Sequence, residues 1–228
     1  MTIKKTVLIL IAAMLIIVAA FFAKRKFYDA RYRFEIATKE VKDFADKGEL
    51  RDGDLIFQTS LSAQSKAIQL ATHSEYSHCG IIFKQQENYI VLEAVEPVKQ
   101  TPLDKWIARG KGGHFVIRRL KNAGQVLTPS ALQNMKQISE GFVGKSYDLY
   151  FSWSDDKIYC SELIWKIYQR ATGLEIGKLQ KLGDFDLSDE RVKQKLAERY
   201  GDNIPLNDTV ISPVSIFNSE LLTTVKSN

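Results

Sequence analysis

The chemistry open to this chain centres on a few cysteine and histidine side chains. Its 228 residues include two cysteines, Cys79 and Cys160, and three histidines, His73, His78 and His114. Cys160 opens a predicted helix that stops near Gly173. The free N–H groups and the dipole of a helix N-terminus favour a thiolate and can hold an oxyanion. Cys160 is therefore the candidate nucleophile, although a buried structural cysteine is the more common use of this residue type.

His78 is the candidate base, and Glu93 is the candidate residue that orients it. His78 begins a predicted strand, and strand alternation places Gly80 on the same face, where it leaves room beside the imidazole. Pairing with the next predicted strand brings Glu93 beside His78, so that a carboxylate can fix the imidazole as in a catalytic triad. Glu96 is the weaker substitute for the same role. A solvent-facing edge position is the plainer interpretation of Glu93.

Two other uses of these residues compete with catalysis. In an exported protein, two cysteines most simply form one disulfide, here between Cys79 and Cys160. Alternation directs Cys79 away from the His78 face, so the bridge and a Cys160–His78 dyad exclude each other. Zinc could use the same side chains, but the sequence has neither a Cys-x-x-Cys nor a His-Glu-x-x-His pattern. Neither a metal nor another cofactor is predicted.

Several short segments together resemble one known family, the YiiX/YebB-like branch of the NlpC-type cysteine hydrolases. The similarity lies, in the family's order, at residues 53–57, 65–73, 76–80, 92–95, 147–148 and 159–162, and spans about 51–210. It implies a circularly permuted papain-like fold, in which the histidine precedes the cysteine. It also implies a Cys160 nucleophile, a His78 base and a Glu93 third residue, with Cys79 as a departure from the expected pattern.

The substrate is less well specified than the chemistry. Relatives in the wider superfamily cleave peptide amides of the bacterial cell wall, which is the favoured expectation; permuted relatives also act on acyl-lipid bonds, as hydrolases or acyltransferases. A catalytically silent envelope-binding module is the third alternative. His73, Tyr147 and Trp153 are candidates to line the substrate cleft. For His73 a loop position with one hydrogen bond is the plainer interpretation, and for the two aromatic residues it is packing in the core.

The N-terminus predicts attachment to a membrane. Residues 7–23 carry no charged or strongly polar side chain, and lysine or arginine flanks them on both sides. At about 1.5 Å per helical residue the run spans roughly 25 Å, close to the ~30 Å apolar core of a bilayer. An uncleaved single-pass anchor in the bacterial inner membrane is favoured over a cleaved signal peptide. The resemblance places the following domain in the periplasm, whereas the positive-inside rule favours the cytoplasm.

The elements around these residues predict an α+β domain with a small antiparallel sheet. Residues 1–26 are interpreted as the anchor or signal, 27–48 as a helical stalk and 49–228 as one hydrolase domain, long enough to bury its own core. The net charge of +5 owes much to the flanks of the apolar run. No basic patch interleaved with aromatic residues occurs in the domain, so no nucleic-acid partner is predicted.

Overall fold

A computed structural model describes residues 3–228 of the chain, with side chains from residue 11 onward. Within that range, the helices are α1 (Ile3–Asp46), α2 (Ala63–Thr72), α3 (Leu103–Arg109), α4 (Ala123–Val126), α5 (Pro129–Glu140), α6 (Cys160–Thr172), α7 (Glu190–Tyr200) and α8 (Pro213–Phe217). The strands are β1 (Leu55–Gln58), β2 (His78–Gln85), β3 (Asn88–Glu93), β4 (Lys99–Pro102), β5 (Val116–Leu120), β6 (Ser146–Tyr147), β7 (Lys157–Ile158), β8 (Gln180–Lys181), β9 (Thr209–Val210) and β10 (Leu222–Ser227).

A six-stranded sheet in the order β10-β5-β1-β2-β3-β4 forms the centre of the domain. Neighbouring strands are antiparallel throughout. The inner strand β1 is buried along its whole length, as expected for a short continuous apolar run. This arrangement confirms the predicted α+β class with an antiparallel sheet.

The two faces of the sheet contact different helices. On one face Leu55, Ile81 and Leu92 pack against α6. On the other face Ile56, Ile82 and Val91 pack against residues of α1 and α3, among them the fully buried Trp106. Helices therefore cover the sheet from both sides, and the start of β2 lies between the two layers.

The N-terminal helix joins the predicted anchor and the predicted stalk into one continuous element that ends at Asp46. Its last turns are part of the domain, because Ala37 and Phe44 are buried in the core beside α3. Burial of a side chain such as Phe44 contributes roughly 1.5–3 kcal/mol.

The helix does not support the predicted membrane span. Among the residues that the structure describes, no helix is both long enough and apolar enough to cross a bilayer. The first four residues of the predicted span, 7–10, lie outside the range whose side chains are described.

Candidate active site

Cys160 lies at the start of α6, as predicted. The chain arrives extended at Tyr159, and the first intrahelical hydrogen bond runs from Leu163 N–H to Tyr159 O (2.9 Å). The N–H groups of the preceding helical residues have no acceptor within the helix. The Ser161 hydroxyl donates to Ile211 O (2.7 Å) and Ile211 N–H donates to Tyr159 Oη (3.0 Å), which fixes this turn against a neighbouring loop. The helix start can therefore stabilise negative charge at or near the sulfur.

His78 and Glu93 are in direct contact, which is the pairing that the sequence predicts. The imidazole is buried, and its Nε2 lies 2.6 Å from Glu93 Oε2. Its ring stacks on Trp106, with centroids 5.8 Å apart and an interplanar angle of 23°. Cys160 is the other side chain that interacts with the buried imidazole and favours its charged form.

The Glu93 carboxylate is completely buried and surrounded by donors. Oε1 accepts from the Thr101 hydroxyl (2.6 Å), while Oε2 accepts from Trp106 Nε1 (3.0 Å) and from the Arg109 guanidinium as well as from His78. Burial by itself raises a carboxyl pKa, but His78 and Arg109 outweigh it and lower the pKa of Glu93 to about 2. Glu93 is thus an anion at neutral pH, and the solvent-facing alternative is wrong.

One detail of the sequence interpretation needs correction. Gly80 was expected to leave open space beside the imidazole for a substrate or for the helix of the nucleophile. That space is filled from β3, because a Cβ at Gly80 would lie 2.3 Å from Val91 Cγ1 and 2.8 Å from the Leu92 carbonyl oxygen. Gly80 therefore serves close packing between β2 and β3.

Together these contacts favour a thiolate–imidazolium pair. The pKa of Cys160 lies well below that of an ordinary thiol; a hydrogen bond from Cys79 is the largest contribution, burial opposes it, and His78 adds to the lowering. Burial also opposes charge on His78, but the hydrogen bonds with Cys160 and Glu93 prevail and raise its pKa to about 9. The raised pKa of His78 and the lowered pKa of Cys160 both favour a proton on the imidazole and a thiolate at Cys160.

Both cysteines are free thiols in this structure, so it contains no Cys79–Cys160 disulfide. Alternation along β2 holds, because Cys79 packs on the α6 side of the sheet while His78 stacks on Trp106 on the other side. Cys160 nevertheless lies close to both residues, since α6 begins beside the start of β2. Hydrogen bonding from the side chain and backbone of Cys79 lowers the pKa of the Cys160 thiol. The sequence interpretation considered Cys79 only as a competing partner and missed it as a donor.

The remaining predicted residues separate into two groups. Tyr147 lines the same cleft as Cys160. His73 instead ends α2 in a left-handed conformation (φ 49°), with its ring exposed and 3.0 Å from Asp186; Trp153 packs against Trp165. Neither lines the cleft around Cys160. His73 matches its plainer interpretation, a position with one polar partner, whereas Trp153 is exposed and does not pack in the core.

Glu96, the weaker alternative to Glu93, does not contact His78. Its carboxylate accepts from the backbone N–H of Tyr147 (2.8 Å) and so anchors a residue of the cleft wall.

Sequence reasoning missed α3, which supplies Trp106 and Arg109 to the site. A signal was present, because Leu103, Trp106 and Ile107 follow one another at i, i+3 and i+4 behind Pro102, the residue that precedes the helix. What the sequence could not show is that this helix packs across β3, where its polar atoms reach Glu93.

A cleft leads from the surface to Cys160 between α2 and α7. It has a volume of about 720 Å³, including the part that is open to solvent. Apolar side chains from the two helices and two neighbouring loops line most of it: Ala67, Ile68, Leu182, Phe185, Val192, Leu196 and Ile211. The sulfur is thus accessible from a largely apolar channel.

A cysteine at a helix start, an imidazole on an adjoining strand and a supporting carboxylate, with the histidine first in the chain, define a permuted papain-like cysteine hydrolase. Comparison with known proteins agrees with this class. The chain belongs to the family described as "Permuted papain-like amidase enzyme, YaeF/YiiX, C92 family", which matches residues 49–226. The predicted resemblance is confirmed, and the protein is a cysteine hydrolase of the peptidase or amidase type.

Two relatives from Escherichia coli are similar over most of the chain. Uncharacterized protein YiiX of strain K12 is 52% identical over 173 residues, which are 76% of this chain and 84% of that protein. A crystal structure described as metalloprotein YiiX from strain O157:H7 matches with a TM-score of 0.75 and 51% identity, covering 79% of this chain and 98% of that one.

The description of that relative as a metalloprotein is not matched by a metal site here. In the part of the chain that the structure describes, no group of three or more histidine, cysteine, aspartate or glutamate side chains is placed to hold a metal ion. Around His78, both oxygens of Glu93 are already engaged by hydrogen-bond donors. The residues that the structure describes therefore do not fit a metal.

The raised pKa of His78 predicts the alkaline limit of activity. His78 must be protonated both to maintain the ion pair and to protonate a leaving amine, so activity falls as its proton is lost. Because the folded-state pKa is raised, from 6.5 to about 9, activity persists through neutral pH and declines above about pH 9. A profile of kcat/KM against pH measures this limb; a decline centred near pH 6.5 contradicts the ion pair.

Cys79 is expected to help set the pH below which activity falls. Cys79→Ala removes a thiol donor to the Cys160 sulfur, so the pKa of Cys160 rises and the acid limb of kcat/KM moves to higher pH. Cys79→Ser keeps a donor and is expected to shift the limb less. A purely structural role for Cys79 would lower stability in both variants and leave the acid limb in place.

Proposed function

We propose that this protein hydrolyses an amide bond through an acyl-enzyme on Cys160, with His78 as acid and base and Glu93 as the residue that positions His78. The observation that carries the proposal is the group formed by Cys160, His78 and Glu93, of which Cys160 lines an open cleft. Each member is buried, and each has the hydrogen-bond partners that its role requires.

The reaction begins from the Cys160 thiolate and the His78 imidazolium of the resting protein. The Cys160 thiolate attacks the carbonyl carbon, a C–S bond forms, and the carbonyl electron pair moves to oxygen. The N–H groups at the start of α6 stabilise this oxyanion. When the intermediate collapses, the C–N bond breaks and the amine leaves with the proton of His78. Water then attacks the thioester while His78 takes its proton, and the acid product leaves the restored thiolate–imidazolium pair.

Tyr147 is a further candidate to contact the oxyanion or the substrate. Its hydroxyl oxygen accepts from Gln64 Nε2 (3.2 Å), so its own proton is free to be donated into the cleft. Burial, followed by the nearby Cys160, raises the pKa of Tyr147 well above its ordinary value, which keeps this proton in place. We assign Tyr147 the role of a donor in the cleft wall.

Two substrate classes are compatible with this chemistry. The cell-wall peptide favoured from the sequence fits the amidase family. The largely apolar lining of the cleft favours the other class, an amide or ester of an acyl chain, because a peptide of the cell wall offers few apolar groups to fill such a channel. Of the two, the acyl amide has the more specific support.

A substrate panel tests the proposal and separates the classes. The purified protein is incubated with N-acyl amides of increasing chain length and with cell-wall peptides, and intact-protein mass spectrometry follows mass added to Cys160. An acyl-amide hydrolase forms a thioester adduct with the former and turns over faster as the chain lengthens. Adducts from peptides alone favour the cell-wall class, and no adduct from any member argues for a non-catalytic module.

We also propose an envelope location, which rests on the apolar run at residues 7–23 and its flanking lysines and arginines. Fractionation of cells that express the full chain tests it. Recovery with the membrane or the periplasmic fraction supports the location, whereas recovery with the cytosol contradicts it.

A further inference from the structure

Two cationic side chains, Lys195 and Arg199, line the cleft wall and have no role in the chemistry described so far. On α7, Val192, Leu196 and Arg199 follow at i, i+4 and i+7 and face the cleft that also contains Cys160. The first two are buried and apolar, while the half-buried Arg199 stands at the end of the stripe. The helix thus presents a hydrophobic wall that ends in a positive charge.

Arg199 is not neutralised within the described part of the chain. The adjacent carboxylate, Glu198, pairs with Lys195. No described carboxylate makes an ion pair with Arg199. Its guanidinium instead lies over the ring of Phe151, 5.0 Å from the centroid, another residue of the cleft wall. A guanidinium over an aromatic ring keeps N–H groups free for a planar anion.

Arg199 lines two depressions of the surface. One is the apolar cleft that also contains Cys160, and the other is a more polar depression beside Leu149 and Glu198. An apolar chain in the cleft and an anion at Arg199 would satisfy both parts of this surface.

We propose that Arg199 binds a carboxylate on the amine side of the substrate, so that the protein acts on N-acyl amino acids whose acyl chain fills the channel between α2 and α7. This inference rests on the proposed amide hydrolysis and narrows its substrate. A carboxylate matches the fork of N–H donors on arginine in a bidentate pair. The scissile carbonyl lies between the two anchors, at Cys160, and the released amino acid leaves past the more polar depression that Arg199 also lines.

The test compares two ligands that differ only in charge, N-dodecanoyl-glycine and N-dodecanoyl-glycinamide. We expect the protein to hydrolyse the acid at least about tenfold more efficiently, because the charged pair is lost with the amide. Arg199→Gln is expected to remove this preference by lowering kcat/KM for the acid about 10- to 100-fold and changing the glycinamide about twofold at most. Arg199→Lys keeps the charge without the fork and should retain part of the preference.

The matched control is Arg191→Gln, a change on the same helix at an exposed pair outside the cleft. It should leave the preference unchanged. Equal losses on both substrates in Arg199→Gln, or no loss on either, overturn the inference. A short peptide acid that is cleaved faster than N-dodecanoyl-glycine, with the same dependence on Arg199, also overturns the assignment to an N-acyl amino acid.

A binding measurement separates this inference from the proposed function. Calorimetry on Cys160→Ala with the two ligands needs no turnover. The Arg199 assignment is supported if Cys160→Ala binds the acid more tightly than the amide and if adding Arg199→Gln to this variant removes the difference. This holds even if the unmodified protein hydrolyses neither ligand. In that case only the hydrolysis proposal fails. Equal binding of the two ligands, or binding of neither, contradicts the Arg199 assignment.

Discussion

Replacement of Cys160 by serine is expected to abolish turnover of the amide substrate, with kcat lowered by about a thousandfold or more. A serine hydroxyl at this position is not ionised at neutral pH, so it cannot form the ion pair with His78. Because serine is close to cysteine in volume and the helix start is held through Ser161 and Tyr159, the fold should persist. Steady-state kinetics together with thermal unfolding measure both effects.

The matched control for this change is Cys79→Ser, which alters the other buried cysteine. It is expected to retain most of the activity, with a changed acid limb. If the two serine variants lose activity to the same extent, or if Cys160→Ser keeps more than about a tenth of the rate, Cys160 is not the nucleophile.

Glu93→Gln is expected to have the second largest effect, lowering kcat by about 10²- to 10⁴-fold, in the range known for the third residue of a triad. The neutral amide no longer stabilises the imidazolium, so the pKa of His78 falls and the alkaline limb of activity moves toward neutral pH. The amide also cannot satisfy the donors of Trp106, Thr101 and Arg109. Each buried group left unpaired costs about 1–3 kcal/mol, so the thermal midpoint should fall as well.

Glu96→Gln is the control for Glu93→Gln, because its side-chain carbonyl can still accept from Tyr147 N–H. It should keep activity within about threefold. If Glu93→Gln lowers the thermal midpoint of unfolding but does not move the alkaline limb of the activity profile, the role of Glu93 is structural only.

The positions of Cys160 and His78 in the fold could be predicted because local signals determine them. A helix start at Cys160 and a strand start at His78 follow from neighbouring residues, and pairing of two consecutive strands brings Glu93 to His78. The antiparallel class followed in the same way. These are short-range consequences of periodicity and turn signals.

The parts that could not be predicted depend on contacts between segments distant in the chain. Arg109 and Trp106 reach Glu93 only because α3 packs over the sheet, and Cys79 meets Cys160 only because α6 begins beside the start of β2. Alternation correctly placed Cys79 and His78 on opposite faces. It did not reveal that a sulfur beside the start of the strand can interact with both. Arg199 could not be distinguished in the sequence from other surface cations on an amphipathic helix.

The proposed mechanism depends most on the ionisation state of the Cys160 sulfur. The pH dependence of its alkylation tests that state directly. Iodoacetamide is applied to the native protein between pH 5 and 10, and peptide mapping gives separate rates for Cys160 and Cys79. If Cys160 is a thiolate, iodoacetamide modifies it fast already at pH 6, and the rate is nearly independent of pH up to about 8. Cys79 is expected to stay unreactive. A rate at Cys160 that rises about tenfold per pH unit up to about pH 8.5, as for an ordinary thiol, would contradict this ionisation state.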